Sequence, residues 1–152
     1  MMPVQAFEGC DRGRVEDDLQ AAPLAGSAVR GGTLAPGQYL VGTTYLQLEP
    51  DKAERVNELV GPVLADLDER DGLLAMALGT SRSCGAARTL TVWRDEAAVF
   101  EFVVGVPHAR AMQEIDDVSR GGSVATHWAG DETAVSLAAA ATHLASDDLQ
   151  SF

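Results

Sequence analysis

The chain has 152 residues, enough for one domain with a single ordinary core and cramped for two. Its 46% apolar and 22% charged residues lie near globular averages, so most of it should fold rather than stay disordered. A formal charge of −12 argues against a nucleic-acid partner, because such a surface repels the phosphate backbone, and no apolar run reaches the length of a membrane span.

Residues 1–38 read as an arm or linker, with a mixed-charge run, FEGCDRGRVEDD, followed by a Gly-rich one, GSAVRGGTLAPG. Val15, Leu19 and Leu24 could make a short helix there, lying on the main body or on a partner subunit. No basic region precedes an apolar one, so a cytoplasmic location is expected. The two cysteines, Cys10 and Cys84, stand far apart without C-x-x-C or Cys/His clustering, which supports neither a disulfide framework nor a zinc site; Cys84 reads as an ordinary loop residue.

From Tyr39 the pattern sharpens. Leu40, Thr44, Leu46 and Leu48 alternate with Tyr39, Val41, Thr43, Tyr45 and Gln47, the period of a strand. Pro50 and Asp51 open a helix whose Val56, Leu59, Val60, Val63, Leu64 and Leu67 recur at helical spacing, with a kink or break expected at Gly61-Pro62. Asp71-Gly72 turns the chain into a second strand, where Leu74, Met76 and Leu78 oppose Ala75, Ala77 and Gly79; small residues on one side imply something close against that face.

A third strand holds Leu90 and Val92 on one side and Thr89, Thr91 and Trp93 on the other. Asp95 is placed to cap a helix carrying Val99, Phe102, Val103 and Val106, and Pro107 suits the first turn of a second helix that presents His108, Ala111, Met112 and Ile115 on one face. Residues 119–122 read as a turn, SVATHWA as a fourth strand, and Asp131 as the cap of a final Ala-rich helix. Residues 39–146 then form the domain and 147–152 a tail. The order predicts an α+β, ferredoxin-like βαββαβ fold: a four-stranded antiparallel sheet with helices on one face, plus a C-terminal helix. The other face is left bare, and parity assigns to it Thr89, Thr91 and Trp93 together with Tyr39, Thr43, Tyr45 and Gln47. A second copy would cover it and enclose a cavity in each half.

At TVWRDEAAVFEFVVGVPHARAM, with THWAGDE downstream, the chain resembles the small dimeric α/β-barrel proteins related to antibiotic-biosynthesis monooxygenases, in a subgroup sometimes placed with spheroidene monooxygenase. The resemblance spans roughly residues 39–129. It implies a homodimer and a small-molecule pocket, and it carries Trp93, His108, His127 and Trp128 over as pocket candidates. Members act on polyketide quinols without a cofactor, bind haem, isomerise or cyclise.

Each candidate has a functional reading and a plainer one. A histidine in the first turn of a helix is held neutral by the dipole and could take a proton from a phenol or enol or ligate a haem iron; alternatively His108 caps the helix or bonds a nearby carbonyl. His127 shares the more polar side of its strand with Ser123 and Ala125, as a second base or a solvated group. Trp93 and Trp128 could donate an indole N–H to a ligand carbonyl, although parity groups Trp128 with Val124 in the core. Tyr45, Thr91 and Thr43 complete the substrate-binding set, and Tyr39 is a further donor on that side. Arg88 and Arg94 read as solvated strand ends and His143 as a surface residue. No dinucleotide, Walker, zinc-hydrolase or serine-hydrolase motif occurs. Two readings result: an enzyme that oxidises or rearranges a small aromatic or polyketide-like substrate, without cofactor or with haem and with no resident metal otherwise, or a non-catalytic ligand-binding or assembly protein of the same fold.

Overall fold

The structure is a computed structural model and describes residues 10–146; the expected tail at 147–152 lies outside the described residues. The arm contains three two-residue strands, β1 (Gln20–Ala21), β2 (Val29–Arg30) and β3 (Thr33–Leu34). After it come β4 (Gln38–Leu48), α1 (Ala53–Asp68), β5 (Leu73–Ser81), β6 (Ala86–Trp93), α2 (Glu96–Val103), α3 (Val106–Val118), β7 (Ser119–Asp131) and α4 (Leu137–Leu144). The main sheet runs β1-β5-β6-β4-β7 with every neighbouring pair antiparallel, so the four long strands and their helices form the ferredoxin-like α+β unit. No helix among the described residues is long and apolar enough to cross a membrane.

Local chemistry explains most boundaries. The Asp95 carboxylate accepts from the Ala98 amide at 2.9 Å and starts α2 as expected. Pro107 occupies the first turn of α3. Asp131, however, caps a 3-10 turn at Glu132–Ala134, and it is Ser136 whose hydroxyl accepts from the Ala139 amide and opens α4. Pro62 does not break α1, which continues to Asp68. The carbonyl deprived of a donor there is that of Glu58, and because Glu58, Gly61 and Pro62 all face solvent, water can satisfy it. Residues 119–122 are not a turn: they extend β7, whose pairing with β4 shifts register between Tyr45 and Gln47.

The two faces of the sheet differ from the sequence expectation. Pairing sets Thr43 opposite Leu90 and Leu40 opposite Trp93. Thr89, Thr91 and Trp93 therefore share a face with Leu40, Gly42 and Thr44, opposite to that of Tyr39, Thr43 and Tyr45. Trp93 packs with Leu67, Ala98 and Phe102 and so lies on the side of α1 to α3, while Leu90 and Val92 lie on the other. Alternation within a strand sorts side chains into two sets but does not say which set matches which in the neighbouring strand.

Nor is the second face bare. The arm and α4 cover it, burying Val41 and Val92 completely with Ala75, Ala77, Leu90 and Trp128. The small residues of β5 have their expected neighbour: a Cβ on Gly79 would meet Leu19 of the arm at 3.2 Å. No helix forms in residues 10–37. Instead β1 adds to the edge of β5, and Leu24 and Leu34 pack on the sheet. The face opposite the helices, expected to be bare, is thus covered by the chain itself.

The arm is fastened polar group by polar group. A disulfide joins Cys10 to Cys84, against the sequence expectation; their separation of 74 residues leaves no spacing signal to read. Arg88, far from being solvated, is 1% exposed and donates to the Glu16 carboxylate at 2.7 and 2.9 Å and to the carbonyls of Asp11, Arg12 and Arg14. Ser81 and Ser83 donate to Asp18 and hold its carboxyl down at about 2.

Candidate functional site

The helix side of the sheet is the less completely closed of the two. The second half of α1 and α2 cover Leu40, Met76 and Trp93 through Val63, Leu64, Leu67 and Phe102. The first half of α1 packs on α3 instead, with Val56 and Leu59 against Ala111, Ile115 and Val118, and an Arg55–Glu114 ion pair links the two helices. Further along the strands Thr44, Leu46, Leu78, Ala87 and Thr89 stay half-buried. The hydroxyls of Thr44 and Thr89 bond each other at 2.7 Å there.

Trp93 anchors this side. It is 2% exposed, yet its indole N–H donates to no group among the described residues. Gly42 allows a close approach beside it: a Cβ there would stand 2.9 Å from the Thr91 hydroxyl and 3.9 Å from Trp93 Nε1. Thr91 itself donates weakly to the Gly42 carbonyl at 3.3 Å. His127 pairs with Gly42 from β7 and is exposed. Trp93 also lines a hollow of about 300 Å³ whose walls include Gly72, Arg70, Arg94, Ala98 and Glu101.

His108 joins this group through an aromatic relay. Its ring lies 4.9 Å from that of Phe102, which lies 5.5 Å from Trp93. Its Nδ1 is 3.0 Å from the Val103 carbonyl, which can only accept, so in the neutral ring Nδ1 carries the proton and Nε2 is the basic nitrogen. Burial pushes its pKa below the usual histidine value and the Val103 carbonyl partly opposes this. The imidazole is neutral at pH 7, the direction expected from sequence, with desolvation as the leading cause. The plainer expectation of a bond to a nearby carbonyl is also met.

The remaining candidates lie across the sheet. The Thr43 hydroxyl donates to the Thr89 carbonyl at 2.6 Å. Trp128 is a core residue, its N–H given to the Ala134 carbonyl at 3.3 Å and its ring stacked 4.1 Å from His143, which is accordingly half-buried rather than a surface residue. Tyr45 lies under Arg88, with the guanidinium 4.6 Å from its ring centre, and its hydroxyl is sealed without a partner among the described residues. Burial, then the Glu16 charge, raises its pKa, which keeps it protonated. So Thr91, Trp93 and His127 share the helix face and His108 reaches Trp93 through Phe102, while Tyr45, Thr43 and Trp128 lie on the other face. Sequence reasoning missed Gly42 as part of the group. The one available signal was a glycine inside a strand, which marks a close approach.

No family model matches the chain and no curated protein matches it in sequence. Solved structures do match in fold. A protein of Mycobacterium tuberculosis shares 13% identity at a TM-score of 0.54 over 59% of this chain and 92% of its own. An antibiotic biosynthesis monooxygenase shares 17% at 0.53 over 59% and 95%. A Pseudomonas aeruginosa protein shares 16% at 0.53 over 60% and 93%. The chain therefore has the fold of the antibiotic-biosynthesis-monooxygenase-like α/β proteins, and about three-fifths of it accounts for nearly all of each of these neighbours.

Proposed function

We propose that the half-open helix side of the sheet binds a small aromatic or polyketide-like molecule and oxidises it without a cofactor. The observation that supports this reading is the nearly buried Trp93, which lines the hollow of about 300 Å³ and whose N–H meets no acceptor among the described residues, since a donor left without an acceptor calls for one. A ligand carbonyl supplies it. Neutral His108, or His127 from the open edge, then removes a proton from the carbon or oxygen activated by that carbonyl. The resulting carbanion adds to O₂, and the peroxide so formed loses water to leave a new carbonyl; the substrate supplies all four electrons. The protein contributes position, a base and a dry wall, and Trp93 stabilises the enolate oxygen as it forms. The fold neighbours named as antibiotic biosynthesis monooxygenases support this class of chemistry.

The test is oxygen uptake by the purified protein with anthrone-like and quinol-like substrates. His108→Ala or His127→Ala should lower turnover by about 100-fold or more, as loss of a general base does, and Trp93→Phe should raise KM and lower kcat together. Titration with haem should produce no Soret band. Ligand binding without turnover, unchanged in both histidine variants, would replace the enzyme by a non-catalytic binding protein.

A further inference from the structure

The hollow of about 300 Å³ that Trp93 lines also carries charge. Glu69, Arg70 and Asp71, between α1 and β5, line it together with Arg94 at the end of β6 and Glu101 of α2. Both arginines are already committed: Arg70 donates to the Asp66 carboxylate at 3.1 and 3.2 Å, and Arg94 reaches Asp95 at 3.4 Å. The carboxylates of Glu69, Asp71 and Glu101 have no hydrogen bond or ion pair among the described residues, so the unpaired charge of this wall is negative. No His, Cys, Asp and Glu side chains among the described residues converge closely enough to hold a metal ion. The three carboxylates therefore act as a spread field, which suits an organic cation better than a compact ion.

Acidic side chains alone make a solvated surface. Trp93 sets this place apart. It is 2% exposed and its N–H meets no acceptor among the described residues, yet the buried side-chain atom that is both sealed and unpartnered there is the Tyr45 hydroxyl, not the indole nitrogen. The indole nitrogen thus keeps a contact with open space, and the hollow that Trp93 lines supplies it. A nearly buried donor and exposed carboxylates ask for different things of one molecule: an acceptor oxygen for the first and a positive charge for the second. We propose that the molecule bound there is an amine-bearing aromatic ketone, with its carbonyl oxygen on the Trp93 N–H and its ammonium facing Glu69, Asp71 and Glu101. The inference rests on the ligand site proposed at Trp93 and adds the charge of its substrate. Aromatic carboxylates meet like charge at the same wall and are turned away.

The experiment measures binding of para-acetylbenzylamine, acetophenone and para-acetylbenzoate to the full-length protein by titration calorimetry at neutral pH and low salt. All three offer Trp93 the same carbonyl and differ in the charge of one substituent. The amine should bind about fivefold more tightly than acetophenone, the gain expected of a half-exposed ion pair, and the carboxylate about fivefold more weakly. A chain of net charge −12 attracts cations everywhere, so two variants of equal net charge separate the wall from the whole. Glu69→Gln, Asp71→Asn, Glu101→Gln should lose most of the preference. Glu54→Gln, Asp116→Asn, Asp117→Asn, at exposed positions on α1 and α3 outside the hollow, should keep it. Equal binding of the three ketones by the native protein, or a preference that falls equally in both variants, would overturn the cationic substrate and leave the Trp93 site standing. Failure of all three ketones to bind, or binding unchanged in Trp93→Phe, would remove the site and this inference with it.

Discussion

The same four strands present two surfaces of different character. On the arm side alternate residues are Val41, Ala75, Ala77, Leu90 and Val92, small or branched and fully covered, with one charged pair sealed among them. On the helix side they are Gly42, Thr44, Thr89, Thr91 and His127, mostly half-buried and hydroxyl-rich, with one large aromatic at the end. The difference lies in what covers them. The arm and α4 together cover one face, while helices that pack on each other leave part of the sheet beneath them half-buried.

The sharpest way to break this contrast is at its buried charge. Removing one member of the Arg88–Glu16 pair, as in Glu16→Ala, should destabilise the protein by about 3–5 kcal/mol, since an uncompensated guanidinium stays buried. Urea unfolding at constant slope measures it. The double variant Arg88→Met, Glu16→Leu should recover most of the loss, because two apolar groups of similar size need no partner.

Matched truncations compare the two faces directly. Leu90→Ala on the arm side should cost about 2–5 kcal/mol, while Leu78→Ala, half-buried on the helix side, should cost about 1 kcal/mol. Equal losses in the unfolding midpoint would mean that the helix side is as tightly closed as its opposite.

Gly42→Ala tests the close approach beside Trp93. The added methyl meets only the Thr91 hydroxyl at less than 3 Å, the end of a side chain that can rotate, so stability should change by about 1 kcal/mol or less. Ligand-induced quenching of Trp93 fluorescence should nevertheless be lost. The smallest effect is in pH. A histidine whose folded pKa lies below its unfolded value of about 6.5 stabilises the fold fully above that pH, and this contribution falls away as pH drops from there toward the folded pKa. Thermal unfolding between pH 7 and 5 should show that slope in the native chain and a shallower one in His108→Gln.

One large hydrophobic side chain breaks the helical expectation. Val106 was expected on an inward stripe with Phe102, but it is 78% exposed, together with Phe100 and Val104 at the α2–α3 junction. The chain bends at Gly105, so the spacing that unites Val99, Phe102 and Val103 stops there. The period was right within each helix and misleading across the cap.

Element order, the caps at Asp95 and Pro107, and the two-sided alternation of each strand were written in the sequence, because they depend on backbone preferences and on neighbours a few residues away. The lowered pKa of His108 was legible in direction for the same reason, since it follows from residue type and local position. Which faces meet between strands, what the arm covers, and the pairings of Cys10 with Cys84 and Arg88 with Glu16 were decided only by the folded chain. Those partners lie more than 70 residues apart, and no local propensity reports on a contact that exists only once the sheet has brought its edges and its arm together.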